Sequence, residues 1–321
     1  MKILIKTPAR LHMGLIDMNG ELGRLFGGLG VGINRPNVIL EARPAKKFLI
    51  VGKEIELATS MAKRFFNAYR TKTNVYINIK QTIPGHVGLG SGTQLALSIS
   101  TALAKVLNVK ASTQELAIAM GRAKRTGVGT AIFQKGGFVV DGGRIAQNCV
   151  CIAEKFPPLI YRQKFPEEWR FIVAVPNVKK GLVSDQEKTA FSKVPIMPSE
   201  QVGKMCRLIM LKLLPAIAEK DLENFGDALT QIQVITGNAF ANVQGGTYSS
   251  QASSECITLM QQLGIHGVGQ SSWGPTIYGV TEKENAKQIR INIQTYLRKT
   301  VGGQVFVARA NNKGATIKII R

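Results

Sequence analysis

Acidic side chains are scarce in this 321-residue chain: 20 Asp and Glu stand against 42 Lys and Arg, a formal net charge of +22. A field of that sign draws anions, whether nucleic acid, phosphates or carboxylates. The basic residues nevertheless come in short clusters only, Lys46-Lys47, Lys124-Arg125 and Lys179-Lys180, and aromatics make up 7%. With neither a basic tail nor an aromatic stacking platform, nucleic acid is not the expected partner. A scattered excess is compatible with plain solvated surface, but a small anionic substrate is the functional expectation. Four cysteines, Cys149, Cys151, Cys206 and Cys256, are too few for a disulfide scaffold, and Cys149-x-Cys151 has no second Cys or His pair at zinc spacing. His12, His86 and His266 are far apart in sequence and suggest no metal cluster. No run approaches the roughly 18 apolar residues of a membrane span, and Met1 to Lys6 passes directly into a strand pattern without a leader signature. A cytoplasmic protein with no membrane partner is expected.

What is present reads as a globular chain, 45% hydrophobic and 19% charged, long enough for one large core or two lobes. Strand alternation marks Lys2 to Pro8, Leu29 to Ile33, Val38 to Ala42 and Asn74 to Gln81, while Glu56 to Tyr69 has helical spacing. A long helix is expected over Thr93 to Leu107. A second is expected over Thr113 to Lys124, capped by Ser112 with Glu115 three residues on. Prolines at 157, 158 and 166 break the pattern, so the division falls between an N-terminal lobe, 1–155, and a C-terminal lobe, 156–321. The second half adds helices over Glu200 to Leu214, Leu222 to Ala241, Ser249 to Leu263 and Glu282 to Leu297. Strands are expected over Phe171 to Val175, Thr276 to Val280, Gln304 to Ala308 and Thr316 to Ile320. The fold class is α+β.

The stretch Pro84-Gly85-His86-Val87-Gly88-Leu89-Gly90-Ser91-Gly92-Thr93 joins a strand to the long helix. Glycines there let backbone N–H groups converge on an anion, and the helix start adds about half a positive charge. Ser91 and Thr93 contribute hydroxyls. The spacing is neither Walker A nor a dinucleotide fingerprint.

Pro84 to Gly92 resembles the glycine-rich motif P-x-x-x-G-L-G-S-S of the GHMP kinase superfamily, except at its last place, and Gly267 to Thr276 resembles the superfamily's C-terminal glycine-rich loop. The resemblance spans essentially the whole chain. It implies a GHMP-kinase-like two-lobe fold, with a ribosomal protein S5 domain 2-like N-terminal lobe, a ferredoxin-like C-terminal lobe, and the active site between them. In kinases of the superfamily an aspartate follows a Ser-Gly-hydrophobic triplet and often serves as base; here the text is Thr126-Gly127-Val128-Gly129. Glycine takes no proton, and a general base is worth roughly 10²–10⁴-fold.

One branch is closer. R-L-H-x-G-L-I-D at Arg10 to Asp17, N-G-E-L-G-R at Asn19 to Arg24, G-G-x-G at Gly27 to Gly30, and G-V-G-Q-S-S-W-G-P-T at Gly267 to Thr276 are similar to the archaeal β-ribofuranosylaminobenzene 5′-phosphate synthases of methanopterin biosynthesis. That resemblance implies condensation of phosphoribosyl pyrophosphate with 4-aminobenzoate or 4-hydroxybenzoate, loss of carbon dioxide and pyrophosphate, magnesium as cofactor, and a homodimer. An ATP-dependent small-molecule kinase is the alternative. Under the leading expectation Asp17, Arg24 and His12 are catalytic. Arg10, Glu21, Gly27, Gly28, Gly88, Leu89, Gly90, Ser91, Gly92, Thr93, Gly269, Gln270, Ser271 and Ser272 bind substrate, and Ser91, Thr93 or Asp17 meets the metal. Asp17 or Glu21 is expected to face the cationic sugar. Trp273 either stacks on the benzoate or packs the core. Arg122, Lys124 and Arg125 are read as the basic end of a helix, favoured there by the dipole alone.

Overall fold

The computed structural model describes residues 1–71, 74–147, 150–151, 155–181 and 184–320; Cys149 lies outside them. The first lobe is built on two sheets. One has the strand order Thr316–Ile320, Lys2–Lys6, Ile39–Pro44, Val75–Gln81, Leu49–Gly52, antiparallel except for the last pair. Alternation puts Ile3, Ile5, Leu40, Ala42, Ile77 and Ile79 on its buried face, beneath the helices Ile55–Tyr69 and Ser91–Val106. The other sheet centres on Arg24–Ile33, flanked by Ala9–Asp17 and Phe138–Asp141, with Leu159–Gln163 outside the latter.

The second lobe carries a four-stranded antiparallel sheet in the order His266–Gln270, Ile277–Glu282, Trp169–Pro176, Gly303–Ala308. Helix Leu222–Gln244 intervenes after the first strand in sequence and Ala286–Lys299 before the last. This βαββαβ order is ferredoxin-like, as expected. Two segments after residue 156 belong to the first lobe's sheets: Leu159–Gln163 and the final strand Thr316–Ile320.

Two helices differ from the expectation. The capping box of Ser112 and Glu115 is present, but the helix it opens, Thr113–Ala119, does not reach Lys124. Gly121 takes φ +65°, and the Arg122 N–H turns back 2.8 Å to the Ala117 carbonyl, closing the helix with a Schellman motif. Residues 120–127 therefore form a loop, and a further helix, Val128–Lys135, follows. The helix expected over Glu200 to Leu214 runs on to Glu219 through a wider turn at Ile209–Leu213. Pro215 explains the turn, because it has no N–H and its ring would crowd the carbonyl four residues back. No helix among the described residues is long and apolar enough to cross a membrane.

Candidate active site

A cavity of about 300 Å³ opens between the lobes. Its first wall is cationic. Arg10, on strand Ala9–Asp17, donates from Nη1 to the Gly88 carbonyl at 2.6 Å and reaches the Ser271 hydroxyl at 3.4 Å. Burial lowers its pKa to about 10, opposed by the charge of Glu187, so it stays protonated at neutral pH. Arg122, Lys124 and Arg125 join it from the 120–127 loop. These three therefore do not belong to the helix as expected, but follow its closed end and line the cavity. The signal that identifies them is Gly121, a C′ glycine inside what looks like continuous helical text. Burial lowers the Arg122 pKa, and its Nε has no hydrogen-bond partner among the described residues.

The glycine-rich loop meets this wall. Gly88 and Gly90 both take left-handed φ, +85° and +79°, where a side chain is strained. A Cβ on Gly88 would collide with the Ser271 carbonyl, and one on Gly90 would sit 2.7 Å from Arg10 Cγ. The loop is thus pressed against Arg10 and Ser271. Gly90 is the N-cap of Ser91–Val106 and offers no side-chain cap, which leaves the first N–H groups of the helix for a ligand. Thr93, on the first turn, faces the cavity; Ser91, Gly92 and Leu89 complete the loop beside it.

The adjoining wall is uncharged and partly aromatic. Phe191, Phe240 and Trp273 meet edge to face, their centroids 4.9 to 5.4 Å apart, and Trp273 thus both packs and lines the cavity. Leu15, Thr236 and Gly237 continue this wall. Three glutamines hold it in place. The Gln233 amide donates to the Met13 carbonyl at 2.8 Å and its oxygen accepts the Gln270 N–H at 2.9 Å. Gln270 in turn accepts the Ser249 N–H at 2.7 Å, donates to the Ser272 carbonyl at 3.0 Å and contacts Gln244 at 3.4 Å.

His12 lines the cavity, with Nε2 3.4 Å from the Thr126 hydroxyl and its N–H 2.9 Å from the Ser271 hydroxyl. Burial first, and Arg10 second, push its pKa down to about 3, so the ring is neutral at physiological pH.

Several of the other expected residues lie elsewhere. Asp17 ends its strand in a turn, where Oδ1 accepts the N–H groups of Asn19 at 2.6 Å and Gly20 at 2.8 Å. Glu21 is exposed and bonded by the Ser199 hydroxyl. Arg24 is exposed and grips the carbonyls of Gly142 and Gly143 at 2.5 and 2.8 Å. Gly27, Gly28 and Gly269 are buried in strands, outside the cavity lining; a Cβ on Gly28 would meet Thr126, and one on Gly269 would meet Gln233. Gln270 and Ser272 line the cavity, and Ser271 stands just behind, donating to the Gly88 carbonyl at 2.6 Å.

The two places where the chain departs from the kinase motif converge here. A Cβ on Gly92 would lie 3.2 Å from Arg122 Nη1, and a Cβ on Gly129 would lie 3.1 Å from Thr93 Cγ2. Glycine at 92 makes room for the arginine, and glycine at 129 leaves no carboxylate beside the helix start.

Lobe order, glycine loop and cleft define the class. Residues 56–136 match the GHMP kinases N terminal domain and residues 213–299 the GHMP kinases C terminal domain. The fold is shared with homoserine kinase from Cytophaga hutchinsonii (TM-score 0.65, 15% identity, 99% of this chain and 97% of that one). It is shared equally with mevalonate diphosphate decarboxylase from Staphylococcus aureus (TM-score 0.67, 14% identity, 99% and 98%). Within that class the chain is 32% identical to β-ribofuranosylphenol 5′-phosphate synthase of Archaeoglobus fulgidus, over 98% of this chain and 99% of that protein. It is 30% identical to the Methanothermobacter thermautotrophicus enzyme of the same name, over 98% of each. The chain belongs to the β-ribofuranosylphenol 5′-phosphate synthase family.

Proposed function

We propose that this protein transfers the 5-phosphoribosyl group of phosphoribosyl pyrophosphate to the ring carbon of 4-hydroxybenzoate that bears the carboxylate, releasing pyrophosphate and carbon dioxide. One observation carries the reading: a single cavity joins a four-cation pole at a helix start to an aromatic wall, with glycine where a kinase of this fold keeps its base. The phenol in the relatives' name favours the hydroxy acceptor, and 4-aminobenzoate is the acceptor to compare.

The chemistry suits the residues. The bond from C1′ to the pyrophosphate oxygen breaks and its electron pair leaves with pyrophosphate, while the ring carbon, made electron-rich by the para hydroxyl, bonds to C1′. Loss of carbon dioxide then returns its electron pair to the ring. No proton has to leave before attack, so Gly129 is no defect. Arg10, Arg122, Lys124 and Arg125 bind and stabilise the phosphate charge that grows as the bond breaks. The aromatic wall orients a flat acceptor and excludes water. Thr93, with Ser91 on the same turn, would offer hydroxyls to magnesium, which when bound would neutralise leaving-group charge.

The test is incubation with phosphoribosyl pyrophosphate, magnesium and carboxyl-labelled 4-hydroxybenzoate, without ATP. Labelled carbon dioxide is the expected product, and pyrophosphate should appear in equal amount. ATP turnover with an alcohol acceptor and no label release would support the kinase alternative instead.

A further inference from the structure

The cavity lining holds four cationic side chains, and among its described residues a single carboxylate, Glu187. It rises from the helix Ser184–Phe191 and lies one turn before Phe191, so the acid and the aromatic ring share a helix face. Its charge is felt by three arginines at once, Arg10, Arg122 and Arg125, which puts it in the midst of the cationic pole.

Its hydrogen bonds are lopsided. Arg125 Nη1 donates to Oε1 at 2.8 Å and the Trp273 indole N–H donates to the same oxygen at 3.1 Å. Among the described residues Oε2 accepts nothing, and the side chain is 31% exposed. Arg125 is itself fixed from behind, its guanidinium 3.8 Å above the Phe191 ring. The arrangement holds one carboxylate oxygen with two donors and leaves the other free where cationic and aromatic walls meet.

The other acids near the site lie outside the cavity lining. Asp17 caps its own turn and Glu21 is bonded by Ser199. Asp141 is buried, with Oδ2 taking the Gly127 N–H at 2.8 Å and Oδ1 the Gly143 N–H at 2.9 Å.

We propose that Glu187 is the carboxylate that faces the ribosyl C1′ and stabilises the positive charge developing there as pyrophosphate departs. The assignment rests on the ribosyl-transfer reading above. A site built only to bind a polyanion gains nothing from a carboxylate among its arginines, since that charge weakens anion binding. A site that must stabilise a cationic sugar between a departing anion and a neutral ring needs one. Sequence reading placed this role at Asp17 or Glu21 because they lie in the motif-rich segment; Glu187 lies in polar helical text with no motif around it.

Glu187→Gln tests it in the full-length protein. Glutamine keeps an oxygen for Arg125 and Trp273 but loses the charge. The expected result is a fall in kcat of at least a hundredfold, with the KM for phosphoribosyl pyrophosphate unchanged or lower and the melting temperature within about 2 °C. The loss should be equal with 4-hydroxybenzoate and 4-aminobenzoate, and Glu187→Asp should regain at least tenfold over the glutamine variant. Turnover within threefold of wild type overturns the assignment. So does a raised KM at constant kcat, which would mark a structural ion pair, or a loss confined to the hydroxy acceptor, which would mark a base for the ring. If Glu187→Gln does not fold, Glu187→Asp decides alone, by a lowered kcat at constant KM or its absence. Wild-type protein that releases no carbon dioxide overturns the ribosyl-transfer reading itself, and this assignment with it.

Discussion

At the scale of single residues, the site works by keeping some groups ionised and one group neutral. Arg10 holds its proton although burial pulls its pKa to about 10, whereas His12 in the same wall is held neutral, down near 3. The sign of the consequence is fixed by linkage. An unfolded His12 takes up a proton below about pH 6.5 while the folded one does not, so its contribution costs stability as pH falls from about 6.5 toward 3, by at most about 1.4 kcal/mol per pH unit. His12→Asn removes that penalty. The variant's melting temperature should therefore fall less than that of wild type between pH 6.5 and 4.5, and equal slopes would mean that the ring is protonated in the folded protein. The pH profile of wild-type turnover should likewise show no limb near 6.5 from this residue. His12, Arg10, Gln270 and Ser272, expected at the site, line the cavity because their motif text reaches it. Asp17, Glu21 and Arg24 stand in equally distinctive text, yet they hold turns; residue type and spacing do not say which way a side chain points.

At the scale of elements, the sequence disclosed periodic segments well and interruptions poorly. The strand Thr316–Ile320 and the capping box at Ser112 appear as read, because alternation and capping are local physics. What escaped was the end of a helix. Leu116 and Met120 keep helical spacing up to Gly121, and only the left-handed glycine shows that Arg122, Lys124 and Arg125 fall on a loop. That loop and the glycine-rich turn depend on each other through Gly92, whose missing side chain leaves space for the Arg122 guanidinium 3.2 Å from where a Cβ would stand. Restoring the kinase-like serine with Gly92→Ser should push the arginine aside without unfolding the chain, since the far end of a flexible side chain can give way. The expected outcome is a KM for phosphoribosyl pyrophosphate raised about tenfold or more, with the KM for the aromatic acid changed little. Pyrophosphate binding measured by calorimetry would reveal it directly, and unaltered affinity would remove Arg122 from the phosphate site.

At the scale of the whole molecule, the candidate cleft is also the seam between lobes, and the seam is stitched at Ser271. Its hydroxyl donates to the Gly88 carbonyl at 2.6 Å and accepts the His12 N–H at 2.9 Å, with Arg10 Nη1 at 3.4 Å. Three N-terminal-lobe groups thus converge on one fully buried side chain of the C-terminal lobe. Ser271→Ala would leave the His12 N–H without its acceptor and would take one of two side-chain donors from the Gly88 carbonyl, and an unsatisfied buried group costs about 1–3 kcal/mol. For a chain of this size such a loss lowers the melting temperature by several degrees. The functional effect should exceed the thermal one. The same hydroxyl sets where Arg10 and the glycine-rich loop stand relative to the aromatic wall, so misplacing it separates the phosphate-binding pole from the acceptor-binding one. Both KM values should rise and kcat should fall roughly tenfold or more, because two substrates held in the wrong relation lose the advantage of proximity. Melting curves and bisubstrate kinetics on Ser271→Ala together decide the point: a variant that melts lower but turns over normally would make Ser271 a stabilising contact only and leave the positioning of the lobes to the Gln233–Gln270 network.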